Sequence, residues 1–468
     1  MRFSTLIKHS AELLRIIMKS ATPADELASQ YLRAKKYIGS TDRKIISEIV
    51  FSTLRTHSLA AKAVEEFEYE SKTTLSAEHK ELSEIIASII IVNLFPNSPL
   101  ANLHSYLAKL SQSDAIGDLS DFIAIAISEL QLLTDTDSSF AEYCTVFATK
   151  FLTDIESDTL LSAKHLCLQS WMIDSLARKY SNRQINQLAF TLMYPASVCL
   201  RINTLNANRE SILEELEQSG ITAKASKYSP VGIILDSRPQ LNNYEFFRNG
   251  SVEVQDIGSQ IIAYALNPES KSRILDACAG AGGKTLHIAA ITNDDADIIA
   301  TDIEYNRLKE IRNRADKSGI SCIEVVPQRS MELKTKIKYK FDSILIDAPC
   351  SGMGTVRRMP MPKWRLSPKQ VMKLNKAQTS ILEYYADMLE VGGSLVYATC
   401  SLLIEENEQI IQTFLAQHDD FAPSPIKPIL TEAGIDFPEL TTEDFMLSTT
   451  PLNNETDGFF MSRITKIK

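Results

Sequence analysis

From about residue 256 to the end the chain alternates between two kinds of segment: RILDACA, a helix over 284–292, DIIATDI, a helix over 305–318, CIEVVP, FDSILIDA, a helix over 369–390, SLVYATC, a helix over 405–417 and a closing strand in FFMSRIT. Strands joined through helices require right-handed crossovers, and such crossovers build a mostly parallel sheet with helices on both faces. The fold class is therefore α/β. In a sheet of this kind ligands lie beyond the carboxyl ends of the strands. That rule gathers DACAGAGGKT (276–285), the acid ending IIATD at Asp302, DAPCS and ATCS around one crevice.

The preceding half of the chain is patterned differently. Residues 1–150 read as an all-α bundle: STDRKIISEIVFSTLRT opens on cap-like Ser, Thr and Asp and repeats apolar residues at Ile45, Ile46, Ile49, Val50 and Leu54. Residues 151–255 mix a helix through SWMIDSLARKY, a strand in ASVCLRINTL, a helix in NRESILEELEQSG closed by Gly220 and a strand in VGIILDS, which predicts a small α+β linker domain. The alternating domain fills 256–468. With 468 residues, 44% of them apolar, each of the three has enough material for its own core.

The amino-terminal MRFSTLIKHSAELLRIIMKS interleaves Lys, Arg, His and Glu with apolar residues, the pattern of an amphipathic helix rather than of a signal peptide. The longest apolar runs, IIASIIIVNLF (85–95) and FIAIAIS (122–128), fall short of the roughly 20 residues that a spanning helix needs. No membrane segment is expected. The seven cysteines are odd in number and scattered, which argues against a disulfide framework and for reduced thiols in the cytoplasm.

A net charge of −10 does not by itself suggest a nucleic-acid binder. Its distribution does. Residues 110–149 hold seven acids and no Lys or Arg, whereas Ala348–Leu382 holds seven Lys or Arg and no acid, so a basic strip follows directly on Cys350.

DACAGAGGKT follows a strand and opens a helix, where backbone N–H groups favour an anionic ligand group. A phosphate-binding loop would need glycine five positions before Gly283, and that position is Cys278. A dinucleotide fingerprint would need glycine where Thr285 stands. The remaining reading is S-adenosylmethionine, its amino-acid end against the glycines and its ribose hydroxyls held by Asp302.

Two predicted strands each deliver a thiol at the carboxyl end, Cys350 and Cys400. A free cysteine is only a few per cent thiolate at pH 7, and basic neighbours or a helix N-terminus raise that fraction. Cys144, Cys167, Cys199 and Cys322 read as buried small hydrophobes. The alternating half offers only His287 and His418 and no Cys-x-x-Cys, so neither a metal site nor a Cys–His protease is expected. A thiol, an acid and a sulfonium cofactor meet in one reaction class, methylation at carbon 5 of a pyrimidine. Thiolate addition at carbon 6 turns carbon 5 into a nucleophile. A carboxyl at ring nitrogen 3 stabilises the developing charge, and Asp347 stands three residues before Cys350.

On LRINTL (200–205), FFRNGSVEVQDIGSQ (246–260), LDACAGAGGKT (275–285), LIDAPCSGMGTVRR (345–358), VYATCSLLIEENE (396–408) and DGFFMSRITK (457–466), the chain resembles the Sun-type RNA cytosine-5 methyltransferases, most closely the RsmB type acting on small-subunit ribosomal RNA. The resemblance implies a Rossmann-like class I methyltransferase domain and, through YLRAKKYIGSTDRKIISEIVFSTLR, a NusB-like RNA-binding domain at 1–150. It implies that Cys400 is the nucleophile and that Cys350 assists product release. It carries cofactor binding onto Cys278, Ala279, Gly280, Ala281, Gly282, Gly283, Lys284, Asp302 and Asp347, and the expected substrate-side cations are Arg357, Arg358 and Lys363. Three departures stand out. Gln328 occupies the place of an adenine-binding Asp, Ala281 that of a Pro in the glycine turn, and Met359 and Met361 those of polar residues. The expected partner is small-subunit ribosomal RNA, bound by a monomer without metal. Methylation of transfer RNA, or RNA binding as an assembly factor with little turnover, are the rival readings.

Overall fold

The computed structural model describes residues 1–98, 137–328, 340–452 and 456–468, with isolated positions between 100 and 126. Most of the acidic 110–149 run and of FIAIAIS lies outside the described residues. Two compact units emerge: Met1–Pro195 with Val356–Arg365, and Ala196–Thr355 with Leu366–Lys468. The helix expected through SWMIDSLARKY forms at Ser170–Leu176 and belongs to the first unit, together with Asn182–Thr191, where the sequence pattern predicts no helix; the division between the units falls at 195.

In the first unit the amphipathic segment forms the helix Phe3–Lys19, which buries Leu6, Ile7, Leu13, Leu14 and Ile17 and leaves Lys8 and Arg15 exposed. Helix Ser40–Ser71 buries all five of the predicted apolar positions from Ile45 to Leu54. Each such side chain contributes about 1.5–3 kcal/mol of burial, so the packed stripe is what holds the helix. Its start differs from expectation: Gly39 is the N-cap and no Ser, Thr or Asp side chain closes the first turn.

The second unit contains two sheets. The smaller has the order β2 (Ala223–Ala225), β3 (Gly232–Leu235), β1 (Val198–Ile202), β4 (Val252–Val254), all antiparallel. The larger comprises β5 (Arg273–Asp276), β6 (Asp297–Ala300), β7 (Ile323–Val325), β8 (Phe341–Asp347), β9 (Leu389–Thr399), β10 (Phe421–Pro423), β11 (Met446–Thr449) and β12 (Phe459–Lys466). Its order is β10-β12-β9-β8-β5-β6-β7, with β11 paired to β12. Strands β5 to β9 pair in parallel, whereas the closing β12 runs antiparallel to β9. This is a Rossmann-like sheet. The strand order reverses between β5 and β8, and a crevice opens beyond the carboxyl ends at such a switch point. Leu275, Ile299, Ile344, Ile346, Leu395 and Tyr397 form part of a buried cluster within this sheet domain.

Among the described residues no helix is long and apolar enough to cross a membrane.

Candidate active site

Register brings the functional residues together. Asp347 lies opposite Ala398 in the β8–β9 ladder, so the three-residue step to Cys350 and the two-residue step to Cys400 end side by side. The two sulfurs are 3.4 Å apart, both partly buried. The closing strand completes the corner: Phe460 pairs with Thr399, and the Gly458 amide donates to the Gly354 carbonyl while the Gly354 amide donates to the Cys400 carbonyl, at 2.8 and 2.9 Å. A Cβ on Gly354 would lie 1.9 Å from the Gly458 carbonyl oxygen and 2.9 Å from that of Cys400, so only glycine permits this approach of backbones.

The glycine turn sits at the neighbouring strand ends. Gly280 and Gly282 have φ of +55° and +84°, and a Cβ on Gly282 would come 2.8 Å from the Ile311 side chain. The Ala279 amide donates to the Thr301 carbonyl, and the Gly280 and Glu304 amides donate to the two Asp302 carboxylate oxygens at 2.9 and 2.7 Å. Lys284, in the first turn of helix Gly283–Ile291, donates to Asp347 at 2.6 Å. Burial alone would lower the Lys284 ammonium, but Asp347 holds it above its ordinary range. One step back on β5, Asp276 is buried, accepts from the Thr285 hydroxyl at 2.7 Å and is pushed up to about 7 by burial.

The thiols are electrostatically unequal. The Cys400 thiol is lowered by accepting a hydrogen bond from Cys350 and by the Lys284 ammonium, against burial and Asp347. Cys350 is raised well above its usual range by donating that bond, by burial and by the negative charges of Cys400 and Glu406. The balance of these effects favours charge on Cys400 over Cys350, and of two such thiols the one with more thiolate character is the stronger nucleophile.

Other expected residues are placed as follows. Cys278 lies in the turn with its thiol pushed up by burial. The Gln328 amide nitrogen donates to the Tyr385 hydroxyl at 3.1 Å. The Ala281 carbonyl accepts from Arg314. Met361 is buried in the helical unit's core, whereas Met359 is exposed. Lys363 departs from its expected role. It belongs to the first unit, is 1% exposed and donates to the Arg55 carbonyl at 2.6 Å, while Trp364 donates to the Leu54 carbonyl at 2.7 Å. An ammonium so enclosed reaches no phosphate, and burial lowers it to about 8. Arg357 and Arg358 are half-buried, and Arg357 donates to the Pro195 carbonyl at 3.0 Å. Cys144, Cys167 and Cys199 are buried as expected, but Cys322 is half-buried. His287 is buried against Tyr264 with neither ring nitrogen hydrogen-bonded, and burial pushes it well below its ordinary range, so it stays neutral. Among the described residues no His, Cys, Asp and Glu cluster is arranged to hold a metal.

Two residues were missed by sequence reasoning. Arg201 of β1, wholly buried, donates to the Gly283 carbonyl at 2.5 Å and to Gln255 at 2.9 Å, fastening the start of the helix that carries Lys284. Glu406 accepts hydrogen bonds from the residues that follow both cysteines. The only sequence signal for either was membership of the LRINTL and LLIEENE stretches.

The family model for 16S rRNA methyltransferase RsmB/F matches residues 263–465, and that for the RsmF/B-like ferredoxin-like domain matches 169–242. Residues 263–465 form a methyltransferase domain of the RsmB/F family. Methyltransferases of this family use S-adenosylmethionine. The probable ribosomal RNA small subunit methyltransferase B of Bacillus subtilis (strain 168) is 32% identical over 298 residues, 63% of this chain and 66% of that protein. The match thus spans just under two thirds of the relative. Among solved structures, PH0851 superposes over 99% of both chains with a TM-score of 0.68 at 22% identity. A methyltransferase homolog protein from Pyrococcus horikoshii superposes over 64% of this chain and all of that one, with a TM-score of 0.51 at 28% identity.

The RsmB/F turn fits its cofactor by the chemistry of its donors. Half-buried Asp302 and Asp347 offer carboxylates to ribose hydroxyls and to a cation, and the positive-φ glycines leave backbone without side chains along the approach.

Proposed function

We propose that this chain methylates carbon 5 of a cytosine in small-subunit ribosomal RNA through a covalent bond from Cys400 to the base, and that it does so as a cytoplasmic enzyme. The observation that carries this reading is the 3.4 Å pair of Cys350 and Cys400 at neighbouring strand ends, with the Lys284 ammonium favouring the Cys400 thiolate. The substrate class is supported by similarity to proteins named as ribosomal RNA small subunit methyltransferases B.

Cys278 to Lys284, Asp302, Gln328 and Asp347 hold the cofactor, which supplies an electrophilic methyl group. The target cytosine is unstacked into the crevice, a requirement for reaching its edge. The Cys400 thiolate forms a bond to carbon 6, and the ring's double-bond electrons move to carbon 5, where the methyl group is received. Asp347 accepts from the exocyclic amino group on the edge of the base and so orients the ring, and a proton taken up at ring nitrogen 3 neutralises the charge that develops there. The carbon 5 proton then passes to solvent, its bonding electrons restore the double bond, and the carbon–sulfur bond breaks with the pair leaving as the Cys400 thiolate, with Cys350 assisting release. Arg357, Arg358 and the exposed Lys369, Lys373 and Lys376 meet RNA phosphates, and the amino-terminal helical unit serves as an RNA-binding domain. Incubation with labelled S-adenosylmethionine and unmodified small-subunit RNA, followed by mapping of 5-methylcytosine, tests the reading. Label at a single cytosine is the predicted result; no transfer, or label on a different base, defeats it.

A further inference from the structure

Glu406 is wholly buried, and both of its carboxylate oxygens are engaged. Oε1 accepts from the Ser351 amide at 2.8 Å and from the Gln378 amide nitrogen at 3.1 Å. Oε2 accepts from the Ser351 and Ser401 hydroxyls, each at 2.5 Å. Those hydroxyls in turn accept from the Met353 and Leu403 amides, so each shapes the turn that follows its cysteine. Ser351 and Ser401 are the residues next to Cys350 and Cys400. Gln378 also donates to the Pro349 carbonyl at 3.0 Å, which ties the residue before Cys350 to the same carboxylate. Asn407 adds a second tie, accepting from the Thr399 hydroxyl at 2.6 Å and donating to the Ser401 carbonyl at 2.9 Å.

A buried carboxylate with four donors is expensive to desolvate and retained only where its bonds hold something in place. Here it spans two loops 55 residues apart in sequence, as the Ser351–Glu406 bond records. We propose that Glu406 is the positioning residue of the reaction: by accepting from both residues that follow the cysteines, it fixes the two cysteine-bearing loops at the observed sulfur separation. Its charge raises both thiols, Cys350 and Cys400 alike, so what distinguishes the two sulfurs is the hydrogen bond between them that the tie preserves. Glu406 reaches the base only through the serines and cysteines it holds, so its effect is on turnover and on thiol identity, not on cofactor affinity. The inference rests on the reading of Cys400 as nucleophile.

The test is Glu406→Gln, which preserves volume and removes the charge. Thiol identity is read without RNA, by mass-spectrometric iodoacetamide alkylation of the full chain across pH. In the wild type Cys400 is alkylated before Cys350 at pH 7. In E406Q, which offers one acceptor oxygen where two tie the loops, the hydrogen bond between the thiols loosens and the preference narrows by about tenfold, the change in thiolate fraction that one pH unit represents. Methyl transfer shows a fall in kcat with KM for S-adenosylmethionine unchanged. An unchanged alkylation preference in a folded E406Q overturns the proposal, and so does a loss of activity that tracks only the folded fraction. Should E406Q fail to fold, Ser401→Ala, which deletes one hydroxyl donor and keeps the charge, lowers kcat about tenfold at constant KM; a wild-type kcat there also overturns it. If the wild type shows the alkylation order but transfers no methyl group to RNA, the functional reading fails while the role of Glu406 stands.

Discussion

Asp276 shows how a single residue records the demands of the site. It is the last residue of β5, held in the interior by register rather than by an ion pair, and burial raises it to about 7 from an ordinary carboxylate value near 4. A carboxyl raised in the folded state contributes stability below its unfolded pKa and loses it as pH rises through the folded one. The window therefore runs from about pH 4 to about pH 7, with an upper limit of about 4 kcal/mol. Asp276→Asn, which can still accept from Thr285, should flatten the fall in Tm between pH 5 and pH 8. A wild-type slope in the variant would show that Asp276 ionises freely. The same logic reversed applies to Lys363, whose lowered ammonium marks it as a packing residue.

Among the elements, the helix Pro368–Ala386 separates two kinds of basic residue that are indistinguishable in the sequence. The strip from Arg357 to Lys376 reads as one run of cations, yet 356–365 belongs to the first unit, where Met361 enters the core and Lys363 and Trp364 bond to helix carbonyls. Lys369, Lys373 and Lys376 are exposed on the helix that follows. Each phosphate contact contributes about 0.7–0.9 to the slope of log affinity against log salt. Replacing the three lysines with alanine should lower that slope for small-subunit RNA by about 2–3, whereas Lys363→Met should leave it unchanged. A slope lowered by K363M and untouched by the triple variant would reverse the assignment.

At the scale of the whole molecule, much was legible because alternation leaves few topologies. Helix 305–318 and the strands at FDSILIDA and FFMSRIT fall where the pattern put them. The first crossing of strand and helix signals was less well read: β9 begins at Leu389, inside what the periodicity assigned to helix 369–390. Short strands were read unevenly: β3, β5, β6 and β7 lie in apolar runs and were anticipated, whereas β2, β4, β10 and β11, of three or four residues without such a run, carry too few alternations to register. The pairing of Cys350 with Cys400 could be anticipated, since both end strands of one sheet. The buried ties from Arg201 and Glu406 could not, because they depend on which loops the register brings together rather than on any local pattern.

The division of labour between the two sulfurs is tested most directly by trapping. With S-adenosylmethionine and unmodified small-subunit RNA, Cys350→Ala should accumulate a protein–RNA adduct that survives denaturing electrophoresis, and Cys400→Ala should form none and transfer no methyl group. An adduct in C400A with none in C350A would contradict the account and make Cys350 the nucleophile.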